Sequence, residues 1–206
     1  MIEVEAKFRL TPETKAKLLT GAAFVGVKEF VVEFWDNDQW QLGLTNLSLK
    51  RKNGHFELKA PMAKQNDGSS YTTIMDEISD EKMIAQKIGI ELTKNLESSL
   101  IKNAFRPRAS IKTIRTTYNK AGFIIDLDEA TFSLVRDNTP YHYEIAEIEL
   151  QVADNSETQA AHEKIGQFAQ EHGLTLANTR GKYMEFIYQN YPEHYQNLVK
   201  IGVMDK

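Results

Sequence analysis

The chain has 206 residues, with 25 basic and 29 acidic side chains and no cysteine. The net charge of -4 argues against attraction to nucleic acid by bulk charge, and the lack of cysteine excludes disulfides, a thiol nucleophile and cysteine-ligated metals. No apolar run approaches the roughly 18 residues of a membrane span, and the N-terminus lacks the apolar core of a signal peptide. We therefore expect one soluble cytoplasmic domain over residues 1–206, a monomer or homodimer, with no nucleic-acid or membrane partner.

Most of the chain alternates between apolar and polar residues, the pattern of strands with two unlike faces. In chain order, strands are predicted over residues 2–8, 30–35, 46–52, 55–60, 70–79, 109–118, 122–128, 131–136 and 141–152. Asn53-Gly54 predicts a two-residue hairpin turn between two of them. Successive hairpins give an antiparallel sheet, and so many strands would leave exposed edges unless the sheet closes. The prediction is an α+β fold: a closed antiparallel β-barrel of about eight strands with surrounding helices.

Six segments carry the start and stop signals of helices. The first has Thr11 as its N-cap and Pro12 at its first position, and it ends before Gly21. The second is expected to begin after Ser79, where two acidic residues would occupy the first turn. The others are predicted over residues 94–104, from a capping-box pattern at Ser156 to Gly173, over 181–189 and over 192–200.

Carboxylates recur two residues apart on three of the predicted strands. Side chains at positions i and i+2 share one face of a strand, so both members of each pair project in the same direction. Pairs of carboxylates suit a hard cation such as Mg²⁺, which binds oxygen ligands and keeps some of its waters. The pairs are Glu3 with Glu5, Asp126 with Asp128, and Glu147 with Glu149.

The predicted hairpin collects lysine side chains on one face. With Asn53-Gly54 as the turn, directly opposite residues share a face, whereas Arg51 points to the other face. A shift of one residue in the register would reverse this and bring Arg51 to the lysines' place. Several cations together, with Arg115 on another strand, suit a polyanion. The lysines concerned are Lys50, Lys52 and Lys59.

Two interpretations of these charged faces remain open at this point. Alternating charges on a strand are most often the solvated face of a half-exposed sheet. If the faces point into an enclosed lumen instead, each unpaired charge would cost several kcal/mol, so the lumen must hold water, or metal ions and a polyanion. Acids for a metal beside bases for phosphate are the combination that phosphoryl transfer uses.

The order of these residues along the chain resembles the CYTH superfamily, which includes class IV adenylate cyclases, thiamine triphosphatases and inorganic triphosphatases. Glu3-Val4-Glu5-Ala6-Lys7 resembles its ExExK signature, and the segment from Lys182 to Leu198 resembles the C-terminal helices of the thiamine triphosphatase branch. Further correspondences follow in order: Leu49-Lys50-Arg51-Lys52, Glu57-Leu58-Lys59, Asp76-Glu77, Arg115 with Tyr118, Asp126-Leu127-Asp128 and Glu147-Ile148-Glu149. The resemblance implies a barrel that binds a triphosphate and a divalent metal inside.

The resemblance also implies a role for each matching residue. The metal, Mg²⁺ or Mn²⁺, would be bound by Glu3, Glu5, Asp128, Glu147 and Glu149. The substrate phosphates would be bound by Lys7, Lys50, Lys52, Lys59, Arg115 and Lys182. Catalytic roles would fall to Glu3, Glu5, Lys59 and Lys182, and supporting roles to Glu77 and Asp126.

The activity that the resemblance implies is Mg²⁺-dependent release of the terminal phosphate from thiamine triphosphate or inorganic triphosphate. The alternatives are a class IV adenylate cyclase that makes cyclic AMP from ATP, and a non-catalytic polyphosphate-binding module. The chain departs from the family at Lys50 and Lys52, where arginines are usual, at Thr113, where a lysine is common, and at Ser48, where the thiamine-specific branch has a large aromatic residue. The aromatic residues that would compensate are Trp35, Trp40, Tyr183 and Phe186, which we expect to belong to the core.

Overall fold

The computed structural model describes residues 2–61, 75–133, 141–175 and 179–204, and these form eight strands and seven α-helices. The strands are β1 (Ile2–Phe8), β2 (Ala23–Asp36), β3 (Ser48–Lys52), β4 (His55–Pro61), β5 (Met75–Ile78), β6 (Arg106–Lys120), β7 (Phe123–Ser133) and β8 (Tyr141–Val152). The helices are α1 (Pro12–Leu19), α2 (Gln41–Leu44), α3 (Glu81–Ile88), α4 (Leu96–Lys102), α5 (Thr158–Glu171), α6 (Lys182–Asn190) and α7 (Pro192–Lys200). The α+β class, with antiparallel strands and helices, is confirmed.

The strands are ordered β1-β8-β7-β6-β2-β3-β4-β5 in one sheet. Within the described ranges, β1 and β5 stand at the two ends of this order, so the prediction of a closed barrel is wrong for this structure. Closure would require backbone hydrogen bonds between those two strands, and β5 has only four residues, all paired with β4. The alternation of apolar and polar residues indicates which face of each strand is buried, but it does not indicate whether the first and last strands pair.

The chain folds as two compact units, and each has its own apolar core. In the first unit, α5 packs its apolar face against β1 and β8. In the second unit, α3 and α4 pack against each other and α3 packs against β4. The first unit consists of the described parts of Met1–Phe30, Lys112–Phe132 and Pro140–Glu185, and the second of those of Val31–Ile111, Ser133–Thr139 and Phe186–Lys206. One domain over residues 1–206 stays a prediction.

The hairpin between β3 and β4 forms as predicted. Asn53 and Gly54 have φ values of 52° and 81°, and a type I′ turn requires positive φ at both positions. The register pairs Lys50 with Glu57, Ser48 with Lys59 and Lys52 with His55. The three lysines therefore share one face and Arg51 lies on the other, so the register shifted by one residue is excluded.

Several predicted element ends are wrong. β7 runs unbroken through Glu129 and Ala130, which pair with β8, where two separate strands were expected. α3 begins at Glu81 rather than directly after Ser79, because Asp80 is its N-cap: the Asp80 carboxylate accepts a hydrogen bond from the Met83 N–H at 2.9 Å. Ser156 makes no capping box, since its hydroxyl donates to Asp154 at 2.5 Å and α5 begins only after a 3₁₀ turn over Asn155–Glu157.

The remaining helix predictions fare better. Thr11 caps α1, with Pro12 at the first position, and Gly173 follows α5 with a φ of 75°. The predicted helices over 94–104, 181–189 and 192–200 correspond to α4, α6 and α7. Short α2 was not predicted, and parts of two predicted strands, residues 70–74 and 134–136, lie outside the described residues. No helix in the described ranges has both the length and the apolar character needed to cross a membrane.

The hairpin turn gives a test of the fold. Gly54 has positive φ and open space around its Cα, so Gly54→Ala introduces backbone strain and no collision. We expect the free energy of unfolding to fall by roughly 1–2 kcal/mol in urea denaturation followed by circular dichroism. Gly26→Ala is the matched control, since Gly26 also has open space but lacks positive φ, and its stability should stay equal or rise slightly. Equal losses in both variants would contradict the assigned turn.

Candidate active site

Three neighbouring strands of the first unit bring carboxylates onto one face. The register places Glu5 of β1 opposite Glu149 of β8, and Lys7 opposite Glu147. Asp126 of β7 is also opposite Glu147, on the other side of β8. Residues directly opposite each other share a face, and the residues between them along each strand point into the apolar core of the unit. The acid pairs predicted on β1, β7 and β8 are therefore brought together.

Four of these carboxylates are buried: Asp126, Asp128, Glu147 and Glu149 are between 1% and 6% exposed. Glu3, at the outer end of β1, is exposed, and the Glu5 side chain is 29% exposed. A buried charge without a partner costs several kcal/mol. Buried acids on one face therefore require cations close by.

Arg115 of β6 supplies the largest part of that compensation. Its Nε and Nη2 each donate to a different oxygen of Asp128 at 2.7 Å, which is the bidentate arrangement that suits a guanidinium. Its Nη1 donates to Asp126 at 2.5 Å, and Nη2 also donates to Glu147. Burial alone would lower the pKa of Arg115, but the hydrogen bond to Asp128 and the charge of Glu147 raise it above its usual value. Arg115 therefore remains a cation and neutralises part of the charge of three carboxylates.

Lys182, the first residue of α6, adds a second cation. Its Nζ donates to Glu147 at 3.0 Å and also to Asp128. Burial raises the pKa of Glu147, but the charges of Lys182, Lys7 and Arg115 lower it more, so the pKa lies well below its usual range. Glu147 is therefore ionised at neutral pH.

Glu149, two residues along the same face, has the opposite electrostatic environment. Burial raises its pKa, and the negative charges of Glu3, Asp126 and Glu5 raise it further, to about 8, although Arg115 lowers it. The Arg115 Nη1 is 3.9 Å from the Glu149 carboxylate, beyond hydrogen-bonding distance. The face is thus divided between a cation-compensated part around Glu147 and an acid-rich part around Glu149.

The acid-rich part has the donor set of a metal site. Glu3, Glu5 and Glu149 each offer one carboxylate oxygen, and these three oxygens lie within 4.8 Å of one another. Hard divalent cations prefer carboxylate oxygens, and such a cation would supply the positive charge that Glu149 lacks. The residues present therefore fit a metal ion. Asp128 and Glu147, the other two predicted ligands, are hydrogen-bonded to Arg115 and Lys182, and their role as ligands stays a prediction.

In the second unit, the lysines of the hairpin gather around Glu77. The Lys59 Nζ lies 2.8 Å and the Lys50 Nζ 3.6 Å from the same Glu77 oxygen, and Lys50 also pairs with Glu57. Burial raises the pKa of Glu77, but the hydrogen bond from Lys59 and the lysine charges lower it below its usual value. Arg51, on the other face, pairs with two different glutamates. The structure thus brings Lys50, Lys59 and Glu77 into one cluster.

Sequence reasoning missed Thr117 as part of the first cluster. Its hydroxyl donates to Asp126 at 2.5 Å. Burial raises the pKa of Asp126, and although the Thr117 hydrogen bond and the Arg115 charge lower it, the pKa stays above its usual value. Thr117 lies two residues after Arg115, so the alternation that selected the arginine also places this hydroxyl on the same face.

Three of the four aromatic candidates lie in apolar cores, as expected. Trp35 is 3% exposed, Trp40 8% and Phe186 fully buried. Their ring faces are therefore occupied by other side chains; Trp40, for example, is stacked on His194 at 4.4 Å between ring centroids. Tyr183, near the start of α6, is half-buried.

Comparison with known proteins places this geometry among related folds. A family model described as the CYTH domain matches residues 1–181. A Pyrococcus horikoshii protein has a similar structure, with a TM-score of 0.58 and 22% identity over 90% of this chain and 97% of that chain. A putative adenylyl cyclase from Hippeastrum, described as having a dominant triphosphatase activity, gives a TM-score of 0.56, with 16% identity over 90% and 95%. A putative adenylate cyclase from Vibrio parahaemolyticus gives 0.54, with 18% identity over 91% and 98%.

The raised pKa of Glu149 predicts the pH dependence of metal binding. Below pH of about 8, Glu149 carries a proton that a metal ion must displace, so the affinity for Mn²⁺ should rise as the pH increases from 6 to about 8 and then level off. Calorimetric titration with Mn²⁺ at several pH values measures this. In Glu149→Gln the affinity should fall at least tenfold and lose the rise with pH, whereas Glu144→Gln, an exposed position on the same strand, should behave as the wild type. A pH-independent affinity in the wild type would contradict the acid-rich cluster.

Proposed function

The chain belongs to the CYTH domain family, and from this premise we propose that it hydrolyses a small-molecule triphosphate in a metal-dependent reaction, releasing the terminal phosphate. The observation that carries the proposal is the division of one sheet face into an acid-rich part and a cation-compensated part. Hydrolysis of a triphosphate needs both, since a metal ion requires oxygen ligands and the phosphates require cations. A solvated sheet face would need neither the burial nor the arginine fork.

The carboxylates are proposed to hold the metal. The carboxylate oxygens of Glu3, Glu5 and Glu149 lie within 4.8 Å of one another, and Asp128 and Glu147 are the further ligands that the family resemblance implies. A bound divalent ion would polarise the phosphate oxygens and favour ionisation of a water molecule. Mg²⁺ is the expected ion and Mn²⁺ the alternative.

The cations are proposed to hold the phosphates. Lys7, Arg115 and Lys182 donate hydrogen bonds to carboxylates. A triphosphate also offers negatively charged acceptor oxygens, so it would compete for these donors. The cations would position the terminal phosphate for in-line attack and neutralise the charge on the leaving diphosphate as the bond between phosphorus and the bridging oxygen breaks.

Inorganic triphosphate and thiamine triphosphate are the two proposed substrates. The first requires only charged groups of the kind that the structure contains. The second would also require an aromatic surface on the protein to bind the thiamine rings. Trp35, Trp40 and Phe186 do not provide one, because they are buried in the core. We therefore place inorganic triphosphate first.

An adenylate cyclase is the second candidate, because two of the similar structures belong to putative adenylate cyclases. A cyclase would attack the α-phosphorus of ATP with the 3′-hydroxyl of the same molecule, and it would release diphosphate and cyclic AMP. The two functions differ in their products, so one assay separates them.

The test is phosphate release at mildly alkaline pH from equal concentrations of inorganic triphosphate, thiamine triphosphate and ATP, with Mg²⁺ or Mn²⁺ and with an EDTA control. Metal-dependent release from a triphosphate supports the proposal and identifies the substrate. Cyclic AMP from ATP without phosphate release would favour the cyclase. Binding of all three compounds without turnover would leave a non-catalytic polyphosphate-binding module.

Glu5→Gln tests the proposed metal role. The substitution keeps the side-chain shape but removes one negative charge from the acid cluster, so Mg²⁺-dependent turnover should fall at least a hundredfold. Far-ultraviolet circular dichroism and the thermal midpoint should stay close to those of the wild type. Glu144→Gln is the matched control and should retain full activity. Activity of Glu5→Gln near the wild-type level would remove the assigned metal role.

Lys59→Ala tests the lysines of the second unit. Loss of one charge-assisted hydrogen bond to phosphate costs roughly 1.5–3 kcal/mol, so kcat/KM should fall about tenfold to a hundredfold, chiefly through KM. Lys82→Ala, an exposed lysine on α3 of the same unit, is the control and should leave both parameters unchanged. Unchanged kinetics in Lys59→Ala would mean that the lysine face of the hairpin does not bind substrate.

A further inference from the structure

Outside the cluster described above, a deeply buried acid lies in the first turn of α6: Glu185 is 2% exposed. Its Oε2 accepts a hydrogen bond from the Arg180 Nε at 2.9 Å and lies 3.9 Å from the Arg9 Nη2. Its Oε1 accepts a hydrogen bond from the Tyr141 hydroxyl at 3.3 Å. Because this carboxylate is buried and both of its oxygens accept hydrogen bonds, its position is fixed.

Arg180 is held at its backbone as well as at its side chain. The Tyr143 hydroxyl donates to the Arg180 carbonyl, and Tyr143 is only 1% exposed. Burial raises the pKa of Tyr143 to about 12, so its hydroxyl stays protonated and remains a donor at neutral and mildly alkaline pH. The Arg9 guanidinium lies 4.1 Å from the centre of the Tyr143 ring and covers its face.

The segment fixed in this way leads directly to Lys182. Gly181 separates Arg180 from Lys182, and its carbonyl accepts a hydrogen bond from the Glu185 N–H at 2.9 Å. A Cβ on Gly181 would lie 3.4 Å from the Lys7 Cε, so the backbone here packs against the Lys7 side chain. Residues 180–182 are therefore held between Glu185 on one side and Lys7 on the other.

We propose that Glu185 is a positioning residue that acts through Arg180 and the 180–182 backbone to place the Lys182 ammonium group where it binds substrate phosphate. The inference deepens the proposed function and rests on it, because Lys182 is one of the phosphate-binding cations assigned there. Glu185 itself contacts no phosphate in this account. Its effect is exerted entirely through the position of Lys182.

A double-mutant cycle on tripolyphosphate binding tests the inference. Affinity is measured by calorimetry in the presence of EDTA, so that metal-dependent hydrolysis cannot consume the ligand. Glu185→Ala should weaken binding about tenfold, because a lysine displaced by a fraction of an ångström loses its geometry with the phosphate. Glu185→Gln keeps an oxygen that accepts from Arg180 and should stay within about threefold of the wild type. Glu193→Ala, an exposed acid on α7, should bind as the wild type.

The decisive comparison is made in the Lys182→Ala background. If Glu185 acts through Lys182, the double variant Glu185→Ala with Lys182→Ala should bind as weakly as Lys182→Ala alone. The inference would be overturned if the losses of binding free energy in the two single variants add up in the double variant. It would also be overturned if Glu185→Ala loses thermal stability without losing affinity. If Glu185→Ala fails to fold, the same comparison is made with Arg180→Ala.

The wild type separates this inference from the proposed function. A wild type that binds tripolyphosphate and shows the expected coupling, but does not hydrolyse it with any metal, would refute the hydrolase and support the positioning role. A wild type that does not bind tripolyphosphate at all would overturn the positioning role, whereas the hydrolase would then be decided by phosphate release from thiamine triphosphate.

Discussion

The arginine at the centre of the acid face is the interaction on which the site depends. Arg115 forms hydrogen bonds with Asp126, Asp128 and Glu147, three carboxylates that are each at most 5% exposed. Without the guanidinium, these acids would be buried like charges, and such an arrangement would either take up protons or separate the strands. With it, the strands β6, β7 and β8 are tied together across one face. Arg115 thus ties these strands together, and it is also one of the cations proposed to bind the phosphates.

The positive charges do not neutralise all carboxylates of this face equally, and the proposed function depends on this difference. Arg115 and Lys182 surround Glu147, and their charges lower its pKa. Glu149 lies only two residues away, yet it is surrounded by acids and its pKa is raised. A uniformly neutralised face would have no affinity for a cation, and a uniformly acidic one would repel phosphate. With cations concentrated around Glu147 and acids around Glu149, the proposed metal and the proposed polyanion would be bound side by side.

Much of this could be predicted from the sequence, because it depends on local rules. Asn53-Gly54 determined the hairpin register, and the period of two assigned the acid pairs to one face of their strands. The prediction of a closed barrel was wrong, because whether the first and last strands pair depends on the whole sheet and not on a local pattern. The hydrogen-bond partners of Arg115 could not be predicted either. The sequence pattern indicates that cations and acids share a face, but it does not indicate which of them pair. Glu185 gave no periodic signal, because it acts from the first turn of a helix and not from a strand.

The most direct test of the account is whether a metal on the acids and a phosphate chain on the cations occupy one site. The measurement is the Mn²⁺-induced relaxation of the ³¹P signals of an imido analogue of tripolyphosphate, whose bridging nitrogen atoms resist hydrolysis. We expect strong relaxation of the bound phosphates in the wild type, and its loss in Glu5→Gln while the analogue still binds. Equal relaxation in both proteins, or analogue binding without any effect of protein-bound Mn²⁺, would contradict the central claim.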